Sequence, residues 1–482
     1  MKFSPILPRI ALALFVFVSP AIAPAVSKPV LVHYMPWYVA KPYSTIWGYH
    51  WTMNHYNPDT FNTNGNRNIA SQYYPLIGPY DSADPAALEY HVLLMKLGGV
   101  DGVIVDWYGT NNCPGLDYHL LNQRTASLFN YTRKAGLKFA ICYEDRTIPA
   151  LTNNGCLIAS NALGHAQQLM LYLQATYFTN PSYLRRSNSP VLLNFGPQYF
   201  KSSANWVDIF SGLAATNQPA FFTEDNRLSP VATGAFDWPP MYLSGGGTLT
   251  TNQLNNYLNN FDNAGKTWPA FISSAFPRFN DIYAQAGTGS TMGYLDDRNG
   301  ATFRETLRRA MTNSSAFVQV VTWNDYGEGT IVEPTKEFGY RDLGVIQDLR
   351  RQYMDASFPY HTNDAAQAFR FYNLRKQYGT SPSVAAELDR VFTNLVSGKL
   401  TTANLQMSGI ESNTPVLYDL SSTGDQMQFS IGGYLAAGVA VRMSTNFTSW
   451  QTVKTFAAGT SLMTFATNFT QNTRSFFKVQ VP

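Results

Sequence analysis

Cysteine, charge and long apolar stretches are all scarce in this 482-residue chain. Three cysteines, Cys113, Cys142 and Cys156, are too few for a disulfide framework, and their spacings do not read as a zinc site. The odd count leaves at least one unpaired within the chain. Cys142 ends the apolar run Phe139-Ala140-Ile141 and reads as a buried thiol, whereas Cys113 and Cys156 lie in Asn/Gly-rich loops, where a disulfide between them stays open. Charged residues make up only 13%, net charge is +3 and no Lys/Arg run stands out, which argues against a nucleic-acid partner. Past the N-terminus no stretch approaches the ~18 consecutive apolar residues of a membrane span.

What is abundant is aromatic and neutral polar. Aromatics reach 14%, beside plentiful Asn and Thr, a balance that suits a secreted protein with stacking surfaces for neutral ligands. Lys2 and Arg9 precede the apolar core Ile10 to Val18, and small residues follow at Ala21, Ala23 and Ala25. This is the pattern of a signal peptide, residues 1–27, cut near residues 23–27, and it implies a secreted or periplasmic location.

The rest alternates short apolar runs with helical spacing. Strands are expected at 30–34, 102–106, 139–144, 190–194, 220–224, 235–238, 269–273 and 316–321. Helices are expected at 85–97, 120–135, 162–175, 205–214, 251–264 and 301–312. Near-continuous apolar strands separated by helices imply a parallel sheet covered on both faces, and eight such units fit a (β/α)8 TIM barrel over residues 28–358. A doubly wound open sheet is the alternative. Two helices, 364–376 and 383–396, belong to a helical linker, 359–404. Short alternating strands then suggest a small all-β, sandwich-like C-terminal module, 405–482, for packing or attachment rather than glycan binding.

Polar residues recur at the expected strand ends: Asp106, Glu144 and Asp145, Asn194, Glu224 and Asp225, Asp237, Arg278, then Asp325 and Glu328. In a barrel those ends converge on one face, where active sites are built. The last strand leads into Trp323-Asn324-Asp325-Tyr326-Gly327-Glu328-Gly329-Thr330-Ile331-Val332-Glu333-Pro334. Glycoside cleavage needs one group to protonate the leaving oxygen and a second carboxylate as base or nucleophile, and Asp325 and Glu328 supply two on one short loop. Apolar walls from Trp323 and Tyr326 keep a carboxyl protonated near neutral pH. On spacing alone, a structural turn with solvated acids competes with this reading.

This segment resembles glycoside hydrolase families 71 and 99, related barrels; its first half is like family 71 and its second like family 99. Tyr73-Tyr74-Pro75-Leu76-Ile77-Gly78-Pro79-Tyr80-Asp81-Ser82-Ala83-Asp84-Pro85 resembles a family 99 segment, and His33-Tyr34-Met35-Pro36-Trp37-Tyr38 shares features with both. The likeness runs in order from about residue 30 to 350. It implies a secreted endo-acting α-glycoside hydrolase of α-mannan-type or α-glucan-type polysaccharide. Glu328 would be the general acid and later base, and Asp325 would deprotonate the substrate's own 2-hydroxyl, as in family 99, or act with water, as in family 71. Asp325 stands where family 99 has the longer Glu.

Substrate contacts are expected from Asn324, Trp323, Tyr326, Tyr34, Trp37, Asp106, Trp107, Tyr108 and Glu144, with Glu333 bracing the loop. His33 reads as a satisfied core residue, and Asp296-Asp297 as a solvated loop rather than a calcium site. No cofactor or metal is called for, the partner is a glycan, and a monomer is expected. A non-catalytic glycan-binding protein on the same barrel is the rival, disfavoured because both carboxylates are present.

Overall fold

The computed structural model describes residues 28–433, 437–460, 463–468 and 474–481. The expected signal peptide, residues 1–27, lies outside them. Eight parallel strands form the centre: β1 (Val30–Tyr34), β2 (Gly102–Trp107), β3 (Lys138–Tyr143), β4 (Ser189–Asn194), β5 (Ala220–Glu224), β6 (Gly234–Phe236), β7 (Ile272–Ala275) and β8 (Phe317–Val320). Each pairs with its neighbour in sequence, and β8 pairs with β1, Val30 opposite Val318, which closes a (β/α)8 barrel. Their side chains are almost all buried, because the barrel fills itself within and helices cover it without. That explains why the strands read as apolar runs.

Two strands differ from expectation. The seventh lies at 272–275 rather than 269–273, because Pro269 has no N–H to give a ladder. The sixth has three residues and begins at Gly234, where an added Cβ would fall 1.7 Å from the Ala270 carbonyl oxygen. Only glycine lets these chains pass so closely.

The surrounding helices are α1 (Pro85–Gly98), α2 (Tyr118–Lys134), α3 (Ala162–Leu173), α4 (Ser203–Phe210), α5 (Thr251–Gly265), α6 (Ala301–Thr312) and α7 (Arg341–Tyr353). Their ends follow local chemistry. On α1 the Asp84 carboxylate accepts from the Ala86 N–H, Pro85 occupies the first turn, and Gly99 closes the helix at φ 86°. On α5, Thr250 and Gln253 form a capping box.

Beyond the barrel come α8 (Thr362–Tyr378), α9 (Pro382–Val396) and α10 (Leu400–Ser412), the last not anticipated. They are joined to the barrel: Arg375 of α8 pairs with Glu89 of α1 at 2.8 Å, and Lys376 with Asp84 at 2.8 Å. Strands β9 (Val416–Thr423), β10 (Gln426–Gly432) and β13 (Met463–Asn468) form one small antiparallel sheet. Strands β11 (Val439–Ser444), β12 (Gln451–Phe456) and β14 (Phe476–Gln480) form the other. Phe429, Ile431, Val439, Val441, Met463 and Phe465 from both sheets make their shared core. Among the described residues no helix is long and apolar enough to cross a membrane.

Cys113 and Cys156 are disulfide-bonded across 43 positions of chain, and Cys142 is a buried free thiol. In the chain-entropy picture a loop of that length stabilises the fold by about 4 kcal/mol. Thiol titration of the native protein therefore finds no reactive group, and unfolding without reductant releases one per chain. Replacing both Cys113 and Cys156 by Ser lowers the denaturation midpoint.

Candidate active site

The strand period of two sorts the sequence-predicted residues. Along β1, His33 faces the barrel interior while Tyr34 faces α1, where its hydroxyl bonds His91 Nδ1 at 2.9 Å. At the end of β2, Asp106 faces inward, while Trp107 turns outward, donating to Asn122 Oδ1 at 3.0 Å and lying parallel to Tyr172. Just past β3, Glu144 faces inward. Tyr34 and Trp107 are fully buried and do not line the cavity at the strand ends, so neither is placed to stack on a sugar.

The loop after β8 is fixed from behind. Asn324 is fully buried; its Oδ1 accepts from the Met35 N–H at 2.9 Å and its Nδ2 donates to the Met35 carbonyl at 3.0 Å. Nδ2 also donates to Tyr80 Oη at 3.0 Å, and that hydroxyl donates to Glu333 Oε2 at 2.8 Å. Glu333 Oε1 meets His91 Nε2 at 3.1 Å, and Trp323 packs edge-on to the same imidazole. Tyr38 donates to the Asn324 carbonyl and accepts from the Tyr326 N–H, while the Tyr326 ring packs among Tyr38 and Trp51. Asn324, Trp323, Tyr326 and Glu333 are thus all buried behind the cavity wall. Expected substrate contacts from the first three correct to a supporting position, because the loop spends their side chains on the segment following β1, on Tyr80 and on His91 of α1.

Asp325 and Glu328 face the other way. The Asp325 N–H donates to Thr322 Oγ1 at 2.8 Å, and its Oδ1 accepts from the Glu328 N–H at 3.0 Å, closing a single turn. Gly329 completes it at φ 70°, where an added Cβ would meet the Asn280 carbonyl oxygen at 2.7 Å. Asn280 and Ile282 donate their N–H groups to the Glu328 and Gly327 carbonyls, at 2.8 and 3.0 Å. The two carboxylates share a cavity of about 560 Å³ with Trp37, Asp106, Tyr108 and Glu144. These are the four remaining predicted contacts.

Burial dominates the electrostatics. It raises Asp325 to about 6, against the pull of the Glu328 and Gly327 N–H groups. Glu328 is raised further above the usual carboxylate range, by burial and then by the neighbouring Asp325 charge. Glu328 Oε2 and Asp106 Oδ1 are buried without a hydrogen-bond partner. Asp106 is likewise pushed up by burial and by Glu144, whose own carboxylate pairs with Arg146.

The cavity also contains residues not chosen from sequence. Arg146 and Tyr283 line it, as do Glu224 and Asp225. The last two stood in the inventory of strand-end acids, which was signal enough. Burial raises Glu224 to about 8, with help from Asp225 and Glu144. His50 stacks on Trp37 with ring centres 4.2 Å apart. His33 lines the floor; it is buried, held neutral with its pKa lowered to about 3, and its Nδ1 lacks a partner, so it is a cavity residue rather than a satisfied core one.

Other strand-end residues are structural. Asp145 accepts from the N–H groups of Gln198, Tyr199 and Phe200, each at 2.8 Å. Asp237 holds the Ser274 N–H, and Arg278 pairs with Asp342 while donating to the Ile331 carbonyl. Asp297 pairs with Arg341 at 2.7 Å. Among the described residues no cluster of His, Cys, Asp or Glu is arranged to hold a metal ion.

Comparison with known proteins adds to this geometry. Residues 26–347 match the sequence profile of glycosyl hydrolase family 99. A glycoprotein endo-alpha-1,2-mannosidase-like protein of Danio rerio is 22% identical over 284 residues, 55% of this chain and 60% of that protein. The glycoprotein endo-alpha-1,2-mannosidase of Mus musculus is 22% identical over 322 residues, 64% of this chain and 63% of its own. This chain therefore spans less than two thirds of the length of those relatives. The GH99 endo-alpha-mannosidase from Bacteroides thetaiotaomicron superposes with a TM-score of 0.51 at 19% identity, covering 68% of this chain and 97% of that one. At that identity the likeness is one of fold.

One consequence concerns stability. Unfolded, Glu224 ionises near the ordinary Glu value of 4.5; folded, it ionises near 8. Between those values the folded state binds more protons, so this group's contribution falls as pH rises through the window. Glu224→Gln removes the penalty. Its melting temperature should match the parent near pH 4 and exceed it increasingly toward pH 8; a constant difference across that range would contradict the assignment.

Proposed function

Because the chain belongs to glycosyl hydrolase family 99, we propose that it is a secreted, endo-acting α-glycoside hydrolase of α-mannan-type polysaccharide. The observation that carries this reading is the Asp325–Glu328 turn, two carboxylates joined through one backbone hydrogen bond and opening into the cavity. An α-glucan-type substrate is the alternative within the same chemistry, since the first half of the loop resembles family 71. The names of the relatives favour mannose.

In this reading Glu328 protonates the glycosidic oxygen while the bond from that oxygen to C1 breaks. Asp325 takes the proton of the sugar's 2-hydroxyl, whose oxygen closes on C1 to give a 1,2-anhydro sugar. Water then opens that ring at C1, giving up its proton to Glu328 while Asp325 returns its proton to O2 as the C1–O2 bond breaks, and the anomeric configuration is retained. Raised pKa values suit both tasks: Glu328 keeps its proton near neutral pH, and Asp325 is basic enough to take one when ionised. Asp106 and Glu144 sit where they can bond sugar hydroxyls, and Tyr108 and Trp37 supply ring surface.

Purified protein tested on α-mannan and α-1,3-glucan, with the fresh anomer read by NMR, separates the substrates and the stereochemistry. Glu328→Gln should lower turnover by roughly 10²–10⁴-fold while glycan binding persists; undiminished turnover would remove Glu328 as the acid. The pair titrates as a unit and should give a bell-shaped kcat/KM profile. The acid limb falls as pH drops through about 6, where Asp325 gains its proton. The alkaline limb falls where Glu328 loses its own. A profile flat from pH 5 to 9 would be incompatible with these roles.

A further inference from the structure

We propose that the amide-lined hollow over α5, entered from the catalytic cavity past Asp225, is a distal subsite for further units of an uncharged polysaccharide. The proposal rests on the hydrolase reading above and extends it to how a long chain is held. The hollow has a volume of about 550 Å³, close to that of the cavity itself, and the two share Asp225 and Tyr242 as walls. They therefore adjoin at that rim, and a glycan that leaves the carboxylate pair over Tyr242 reaches the hollow.

The sequence of α5 accounts for its lining. Gln253, Asn256, Tyr257 and Asn260 recur at helical spacing and share one face. The helix carries a single charged residue, Asp262, which is buried. A solvated helix face commonly carries Lys and Glu; this one carries amides instead. An amide offers both a donor and an acceptor, the pairing that sugar hydroxyls ask for, and no charge to desolvate.

Tyr242 supplies the flat surface. It is 68% exposed at the rim between the two spaces. Its turn is held against the helix by Gln253, whose Nε2 donates to the Leu243 carbonyl at 2.8 Å while its Oε1 accepts from the Thr250 N–H at 2.9 Å. With the turn's backbone held this way, placing the ring on a sugar requires no ordering of the chain beneath it. Asp225 itself accepts from the Tyr257 hydroxyl, so the one charge in the hollow is already engaged. A second hollow also meets Asp225, over the Gly196–Gln198 turn, but Glu224 and Arg227 line it, which suits an uncharged chain less well.

The test uses the full chain. Glu328→Gln protein is titrated calorimetrically with α-manno-oligosaccharides from disaccharide to hexasaccharide. Affinity should keep rising past the length that fills the cavity, by about tenfold or more in total. Adding Asn256→Ala and Asn260→Ala should remove most of that length-dependent gain. In the otherwise unmodified chain the same pair should raise KM for α-mannan several-fold more than for a short aryl glycoside, with kcat for the polymer little changed. A length dependence that survives the double substitution, or equal losses on short and long substrates, overturns the subsite and leaves the hydrolase reading standing. Absence of turnover by the unmodified chain on every α-glycan removes that reading, and the subsite with it.

Discussion

The two hydrogen bonds between the Asn324 amide and the Met35 backbone are the constraint on which the site depends. A closed barrel brings the end of β8 beside the end of β1, but closure alone leaves the following loop free to turn either way. The paired bonds join residues 289 positions apart and fix which side of the loop meets the strands. Once Asn324 faces β1, Asp325 must face the interior. The adjoining Tyr80–Glu333–His91 chain leaves the Asn324 amide no alternative partner that would not strand a buried polar atom.

That rigidity is what makes burial of the acids tolerable. An ionised carboxylate in an apolar cavity is costly, and the cavity lining includes Asp106, Glu144, Glu224, Asp225, Asp325 and Glu328 against one guanidinium, Arg146. A softer scaffold would relax by letting water in or the acids apart. Here the Glu328 and Gly327 carbonyls are bonded to the 280–282 segment, and Gly329 leaves no room for a shift. The energy that would drive relaxation is instead expressed as raised proton affinity, which is the property acid–base chemistry needs.

Much of the barrel was legible in the sequence because both faces of its strands are buried, so each wrote itself as an apolar run ended by a polar residue. The Asp325–Glu328 turn was legible for the same reason. What the sequence hid was direction. Tyr34, Trp107 and Trp323 are aromatic and close to the site in number, yet each is buried away from the cavity: on β1 and β2 one step along an extended chain reverses the side chain, and past β8 the Asn324 bonds set the turn of the loop. Motif likeness does not register that reversal; counting the strand period from Asp106 or His33 would have. Arg146 and Tyr283 escaped because they sit on irregular connections, where no periodicity places them. Helix α10 went unread since its apolar positions, Ala403, Met407 and Ile410, are few and lie among Thr, Asn and Ser.

The disulfide has a consequence for the carboxylates rather than for stability alone. Cys113 lies on the connection leaving β2, which carries Asp106, and Cys156 follows the segment leaving β3, which carries Glu144. Those two carboxyls are hydrogen-bonded neighbours in the cavity, with Asp106 raised by burial and by Glu144. The covalent link spans the two connections that continue from those strand ends, so it acts as a tie-rod on that quadrant of the rim. Bond oxidation and rim geometry are thereby joined: reducing the link frees the two connections from each other at the edge of the cavity that these acids line.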